Sequence, residues 1–339
     1  MIIVLKPRIS KKEERAVLTE IRKLGYTPHV MRGVSRTVIG AIGDELTHAN
    51  LETLTAQFPR AVESVLPIQK RYKLVSREAH PSDSTVRVRE QVIGGRKLHV
   101  MAGPCSVESE KQLLAAAEAV AAAGATVLRG GAFKPRTSPY EFQGLGEKGL
   151  KLLDKARRAT GLAVITELLS EQHVDLVAEY TDIIQIGARN AQNFQLLIAA
   201  ARTGKPILLK RGLSMKIEEW LLAGEYVLAN ENPKLMFCER GIRTFETYTR
   251  NTLDLATIPI IKRESHCPIV IDPSQGAGRA DIVATLCKGA VAMGADALLI
   301  EVHPNPAEAW SDGAQQVTLE AFARLMKELR PLIAAAGRE

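Results

Sequence analysis

The run Ala102-Gly103-Pro104-Cys105-Ser106-Val107-Glu108 ends a short apolar stretch, 98–102, on a thiol, a hydroxyl and a carboxylate. The same succession recurs in LRGGAFKPRTSP from Leu128, ITEL from Ile165, IQIGARN from Ile184, LLKRG from Leu208, FCERGIRT from Phe237, VIDPSQGAG from Val270 and LIEVHP from Leu299. Helix-length segments separate these runs. Short apolar strands alternating with helices specify a parallel sheet buried on both faces. Eight such units favour closure into a (β/α)8 barrel, an α/β fold with its active site at the C-terminal strand ends. The strands are expected at 98–102, 126–129, 163–166, 183–186, 207–210, 235–238, 269–272 and 297–301. An open doubly wound sheet is the alternative, and a literal GxGxxG occurs at Gly144, Gly146 and Gly149. It follows the loop Tyr140-Glu141-Phe142-Gln143 and no strand, so the strand–turn–helix context of a dinucleotide site is missing.

The chain has 339 residues, enough for a barrel of roughly 250 and one small extra domain. Residues 1–68 read as β-α-β-β-α-β, the ferredoxin-like split βαβ order. Strands are expected at 2–5, at 27–31 and 37–42 flanking Gly33, and at 62–68. Ser10 opens a first helix with Val17, Ile21 and Leu24 on one face and Gly25 at its end, and 46–58 forms the second. This domain carries no evident chemistry. It serves either oligomer assembly or the sensing of a ligand. Residues 69–97 are a polar connection ending in a hairpin, 86–88 with 91–93, before Gly94-Gly95. The barrel occupies 98–339.

No apolar run approaches the ~18 residues that span a bilayer, and the opening Met1-Ile2-Ile3-Val4-Leu5 has no signal-peptide pattern. No membrane association is expected. Cys105, Cys238, Cys267 and Cys287 form no CxxC pair, which suits a reducing cytoplasm without disulfides. The net charge is +7, yet no basic helix, zinc finger or aromatic stacking platform points to nucleic acid. A site for small, highly anionic molecules explains the basic bias as well.

Cations gather at the strand ends. Arg129, Lys134 and Arg136 lie with Thr137 in one segment punctuated by Gly130, Gly131 and Pro135. Arg suits bidentate binding of phosphate or carboxylate, and Lys can also donate a proton. Arg189, Lys210, Arg211, Arg240 and Arg243 follow later strands. Brought together, these groups repel one another unless they hold anions. One phosphate at least is implied. Cys105, Glu301, His303 and Asp312 are candidate ligands for a divalent metal of intermediate softness.

The motifs GPCSVES, LRGGAFKPRTSPYEFQGLGEKGL, IQIGARNAQN, LLKRG, CERGIRTFE, TRNTLDL, DPS and EVHPNPAEAWSDG resemble those of the 3-deoxy-D-arabino-heptulosonate 7-phosphate (DAHP) synthases. The likeness is to the type I subgroup with an N-terminal ferredoxin-like domain, and it covers nearly the whole chain. It implies condensation of phosphoenolpyruvate with erythrose 4-phosphate, the first step of the shikimate pathway to aromatic amino acids. It implies phosphoenolpyruvate binding by Arg129, Lys134, Arg189, Lys210 and Arg240. It assigns erythrose 4-phosphate to Pro135, Arg136 and Thr137, a proton-donor role to Lys134, and a place near the attacking water to Glu167. It makes Cys105, Glu301 and Asp312 metal ligands. The fourth ligand departs from the pattern. The family has Asp-Pro-Ser-His, and this chain has Asp272-Pro273-Ser274-Gln275. An amide is a poorer partner than imidazole for such metals, so the ion is expected to bind more weakly, to differ, or to be absent. An aromatic amino-acid effector and a homo-oligomer are further expectations.

Other readings stay open at this point. The related 3-deoxy-D-manno-octulosonate 8-phosphate synthases carry Lys-Ala-Asn-Arg-Ser where this chain has Lys134-Pro135-Arg136-Thr137. A Schiff-base aldolase would use Lys210. A catalytically inactive ligand-binding paralogue would account for Gln275.

Overall fold

The computed structural model describes residues 1–7, 9–32, 37–42, 51–66 and 70–339. They form two units, Met1–Arg71 and Tyr72–Glu339.

In the first unit, β1 (Ile2–Leu5), β2 (Thr27–Arg32), β3 (Thr37–Ile42) and β4 (Val62–Leu66) make an antiparallel sheet in the order β2-β3-β1-β4. This is the ferredoxin-like order. The helix Lys11–Lys23 starts at Ser10, whose side chain caps Glu13 N while Glu13 caps the Ser10 backbone. That reciprocal pair satisfies two donors that the first turn leaves free. Val17 and Ile21 of this helix pack with Ile3, Leu5 and Ile39 in a separate core. Of the expected helix 46–58, Leu54–Gln57 is helical. Gly33, residues 46–50 and residues 67–68 lie outside the described residues.

In the second unit, β5 (Val86–Val88) and β6 (Gln91–Ile93) form a hairpin. The barrel follows with β7 (His99–Gly103), β8 (Val127–Arg129), β9 (Ala163–Leu168), β10 (Ile183–Ile186), β11 (Ile207–Lys210), β12 (Leu235–Glu239), β13 (Ile269–Ile271) and β14 (Ala297–Glu301). All pair in parallel, and β14 closes onto β7. The open-sheet alternative is thereby excluded.

The barrel interior is filled by Met101, Val127, Ile165, Leu208, Met236 and Leu299, and the hairpin residues Val86, Val88 and Ile93 join the same cluster. The hairpin is therefore a plug for the barrel core, not only a connection. His99 fixes it: one ring nitrogen meets Val92 O at 3.0 Å and the other Thr126 Oγ1 at 3.1 Å. Outward-facing Val100, Leu128, Ile184, Leu209 and Phe237 pack in the layer under the surrounding helices.

Side chains alternate along a strand. The parity that turns Val127, Ile165, Ile183, Leu208 and Leu299 inward also turns Arg129, Glu167, Gln185, Lys210 and Glu301 to the inside at the strand ends. Apolar core and polar mouth are thus two levels of one pattern.

Of the strand limits that differ from the sequence reading, two shape the site. β9 runs to Leu168, so Glu167 is held in a strand. β13 stops at Ile271, because Pro273 has no N–H for a ladder and instead starts the short helix Pro273–Ala277. Asp272 caps that helix by accepting from Gln275 N at 2.9 Å. Two of the GxGxxG glycines, Gly144 and Gly149, serve close packing. A Cβ on Gly144 would sit 2.2 Å from Ala132 O. Among the described residues, no helix is long and apolar enough to cross a membrane, and all four cysteines are unpaired and buried.

Candidate active site

The strand ends open into a cavity of about 380 Å³ lined by Arg129, Lys134, Arg136, Arg189, Lys210, Arg240, Arg243 and Arg250, with Glu141, Glu167 and Asp312 as its carboxylates. Cations outnumber carboxylates on the lining, so the cavity attracts anions. Pro135, Thr137 and Gln275 also line it. Of the residues that the sequence reading proposed for anion or substrate contact, all but Arg211 border this one cavity.

The cations are not equivalent. Lys210 Nζ donates to Asp272 Oδ2 at 2.6 Å, with both side chains buried. With that nitrogen engaged by a carboxylate it is not free to attack a carbonyl, which disfavours the Schiff-base reading. Arg129 donates to Pro104 O at 2.8 Å and to Glu301 Oε1 at 3.0 Å. Its Nε is buried with no hydrogen-bond partner among the described residues. Arg136 pairs with Glu141 at 3.1 Å. Arg211 is a correction. It turns out of the site to Glu239 and Asp254, each at 3.0 Å, because it is one residue out of phase with Lys210.

Glu167 sits opposite Gly187, where a Cβ would lie 1.8 Å from Glu167 Oε1. Gly187 is thus the space that the carboxylate occupies. Gln185 Nε2 donates to Glu167 Oε2 at 3.3 Å.

Cys105, Glu301 and Asp312 come together from the β7 loop, the end of β14 and the loop after it, with one ligand atom of each within 4.8 Å of the others. A thiolate and two carboxylates suit a divalent ion. The network around them is dense. Lys134 Nζ donates to Cys105 Sγ and to Cys105 O, both at 3.0 Å. Cys105 Sγ donates to Asp312 Oδ2 at 3.4 Å. Gln315 Nε2 donates to Glu301 Oε2 at 2.7 Å. Burial first, then the Glu301 charge, pushes the Cys105 thiol up to about 11. Burial opposes ionisation of Asp312, but Arg250 and Lys134 hold it down to about 2.

Gln275 reaches the same cluster. Its Nε2 donates to Glu301 Oε1 at 3.0 Å and to Asp312 Oδ2 at 3.3 Å, and its Oε1 accepts from Arg240 Nη2 at 2.8 Å. The amide therefore shows nitrogen, not oxygen, to the carboxylates. His303 lies elsewhere, 3.3 Å from Glu108 Oε2, and is not part of the cluster. Arg250 and Asn251 were missed from sequence. Arg250 donates to Asp312 Oδ1 and Gln315 Oε1, both at 3.0 Å. Its signal lay in the quoted TRNTLDL run, but no strand end marks it.

Residues 79–335 match the DAHP synthetase I family, and residues 1–70 match the DAHP synthase ferredoxin-like domain. The chain belongs to the DAHP synthase family. It is 49% identical over 339 residues to the phospho-2-dehydro-3-deoxyheptonate aldolase of Thermotoga maritima, covering 99% of both chains. A crystal structure of the Thermotoga DAHP synthase superposes with a TM-score of 0.89 at 48% identity, covering 100% of this chain and 98% of that one. A truncated form of the Thermotoga enzyme matches 79% of this chain and 98% of its own at a TM-score of 0.75 and 48% identity. The 2-dehydro-3-deoxyphosphooctonate aldolase of Syntrophotalea carbinolica is more distant, 32% identical over 264 residues, with 72% of this chain and 94% of that one covered. The DAHP synthase likeness thus extends over both units of the chain.

Proposed function

We propose that this chain catalyses the DAHP synthase reaction, the condensation of phosphoenolpyruvate with erythrose 4-phosphate and water to give 3-deoxy-D-arabino-heptulosonate 7-phosphate and inorganic phosphate. The observation that carries the reading is a single cavity in which Arg129, Lys134, Arg189, Lys210 and Arg240 converge. These five bind phosphoenolpyruvate, and Pro135, Arg136 and Thr137 bind erythrose 4-phosphate.

C3 of phosphoenolpyruvate attacks the aldehyde carbon of erythrose 4-phosphate, and a C–C bond forms. Lys134 protonates the aldehyde oxygen as its charge grows. Glu167 orients a water onto C2 of the enol phosphate. As that C–O bond forms the water gives up two protons, one making good the proton that Lys134 delivered and one leaving on the phosphate, and the C–OP bond breaks. The cations hold two mutually repelling substrates at reacting distance, which supplies much of the rate.

Cys105, Glu301 and Asp312 would hold a divalent ion, whose contribution when bound is Lewis acidity. Gln275 would be a weak fourth contact.

The catalytic part is assigned to 98–339, with 69–97 as the connection. Residues 1–68 are proposed to sense an aromatic amino acid in a cytoplasmic homo-oligomer, and assembly is the second role for them. Phosphate release with erythrose 4-phosphate, compared with arabinose 5-phosphate, tests the reaction. Preference for arabinose 5-phosphate would assign the chain to the octulosonate branch. No release with either would favour an inactive binding protein.

A further inference from the structure

The orientation of Gln275 is dictated by its partners. Carboxylates only accept hydrogen bonds and a guanidinium only donates them. The amide nitrogen must therefore face Glu301 and Asp312, at 3.0 and 3.3 Å, and the amide oxygen must face Arg240, at 2.8 Å. A divalent cation among Cys105, Glu301 and Asp312 reverses this requirement. It attracts the amide oxygen and repels the NH2 group. Turning the amide over then sets NH2 against the Arg240 guanidinium, donor to donor. Arg240 is largely buried and lines the cavity, where water, a neutral acceptor, cannot relieve that conflict as a charged one does. An anion can. A phosphate on Arg240 takes up the donor that now serves Gln275 Oε1 and frees the amide to turn.

We infer that Gln275 is a two-position amide that couples the metal site to the anion site at Arg240. Without ion or anion it is locked with oxygen on Arg240 and nitrogen on the carboxylates. With both bound, its oxygen faces the ion. Each ligand then favours the other, and the coupling is reciprocal. A histidine here has no oxygen and nitrogen ends to exchange, and its lone-pair nitrogen can face an ion directly. The inference rests on the proposed roles of Cys105, Glu301 and Asp312 at the ion and of Arg240 at a phosphate.

The test is titration of the full-length protein with Mn2+ at fixed pH, with and without saturating inorganic phosphate, followed by electron paramagnetic resonance of free Mn2+. Phosphate is expected to tighten Mn2+ binding about tenfold in the natural chain, within the usual range of coupling between sites. In Gln275→His the factor should fall to about twofold, the remainder being direct attraction between the two ligands. Gln275→Met, which has neither amide end, should lose the coupling as well. The same phosphate factor in all three proteins would overturn the inference, as would a natural chain that binds no Mn2+ in the presence of phosphate. Turnover of phosphoenolpyruvate and erythrose 4-phosphate is measured on the same samples. Turnover with equal factors would refute the coupling alone, whereas absence of turnover would refute the proposed reaction.

Discussion

Lys134 is tied to one residue twice, through the carbonyl and the thiol of Cys105. Its ammonium is placed by the metal-site loop and faces the cavity. If it is the proton donor to the aldehyde oxygen, Lys134→Ala should lower kcat at least ~100-fold in a steady-state assay. A near-normal kcat would remove the role. Gly187 allows a different test. The nearest atoms to a methyl group there belong to the flexible end of Glu167, so Gly187→Ala should keep the fold yet displace the carboxylate. A loss of about 10–100-fold in kcat is expected, with little change in thermal midpoint. Unchanged kcat would detach Glu167 from the water. The in-phase strand-end residues were legible in the sequence because period-two alternation carries the inward register one step past the apolar core. Arg250 was not. It lies on a loop, and only folding brings it within 3.0 Å of Asp312. Arg211 was misread because recurrence of charge was counted without its phase.

At the level of elements, eight apolar runs and the split βαβ order were readable because each strand is short, apolar and bounded by Gly, Pro or charge. The ends of β9 and β13 were not, since Glu167 and Asp272 are polar residues held by neighbours. The hairpin's role as a plug also escaped the sequence, because Val86 and Ile93 look like ordinary strand residues until they meet the barrel interior. His99 makes this plug pH-sensitive. Burial lowers its pKa to about 4, while the unfolded chain titrates near ~6.5. As pH falls, the unfolded state takes the proton first. The stabilisation is therefore whole above ~6.5, is lost progressively down to about 4, and stays constant below. The full difference is about 3 kcal/mol. Urea unfolding at pH 7.5, 5.5 and 4.5 should show a shallower decline in His99→Gln than in the natural chain. Parallel declines would show that His99 is not the responsible group.

On the scale of the whole molecule, Tyr72–Glu339 has its own core and holds the entire cavity. A chain starting at Tyr72 is expected to fold and to retain the condensation activity. Tyrosine or phenylalanine should lower the rate of the full chain and leave the shortened one unaffected. If neither changes the full chain, the sensing role fails, and a lower subunit count in the shortened chain would identify the first unit as an assembly module. The central claim is the reaction itself. Its most direct measurement is phosphate release by the purified full chain from phosphoenolpyruvate, with erythrose 4-phosphate or arabinose 5-phosphate as partner. The account predicts rapid release with erythrose 4-phosphate and little with arabinose 5-phosphate, whereas a preference for arabinose 5-phosphate, or no release with either sugar, would contradict it.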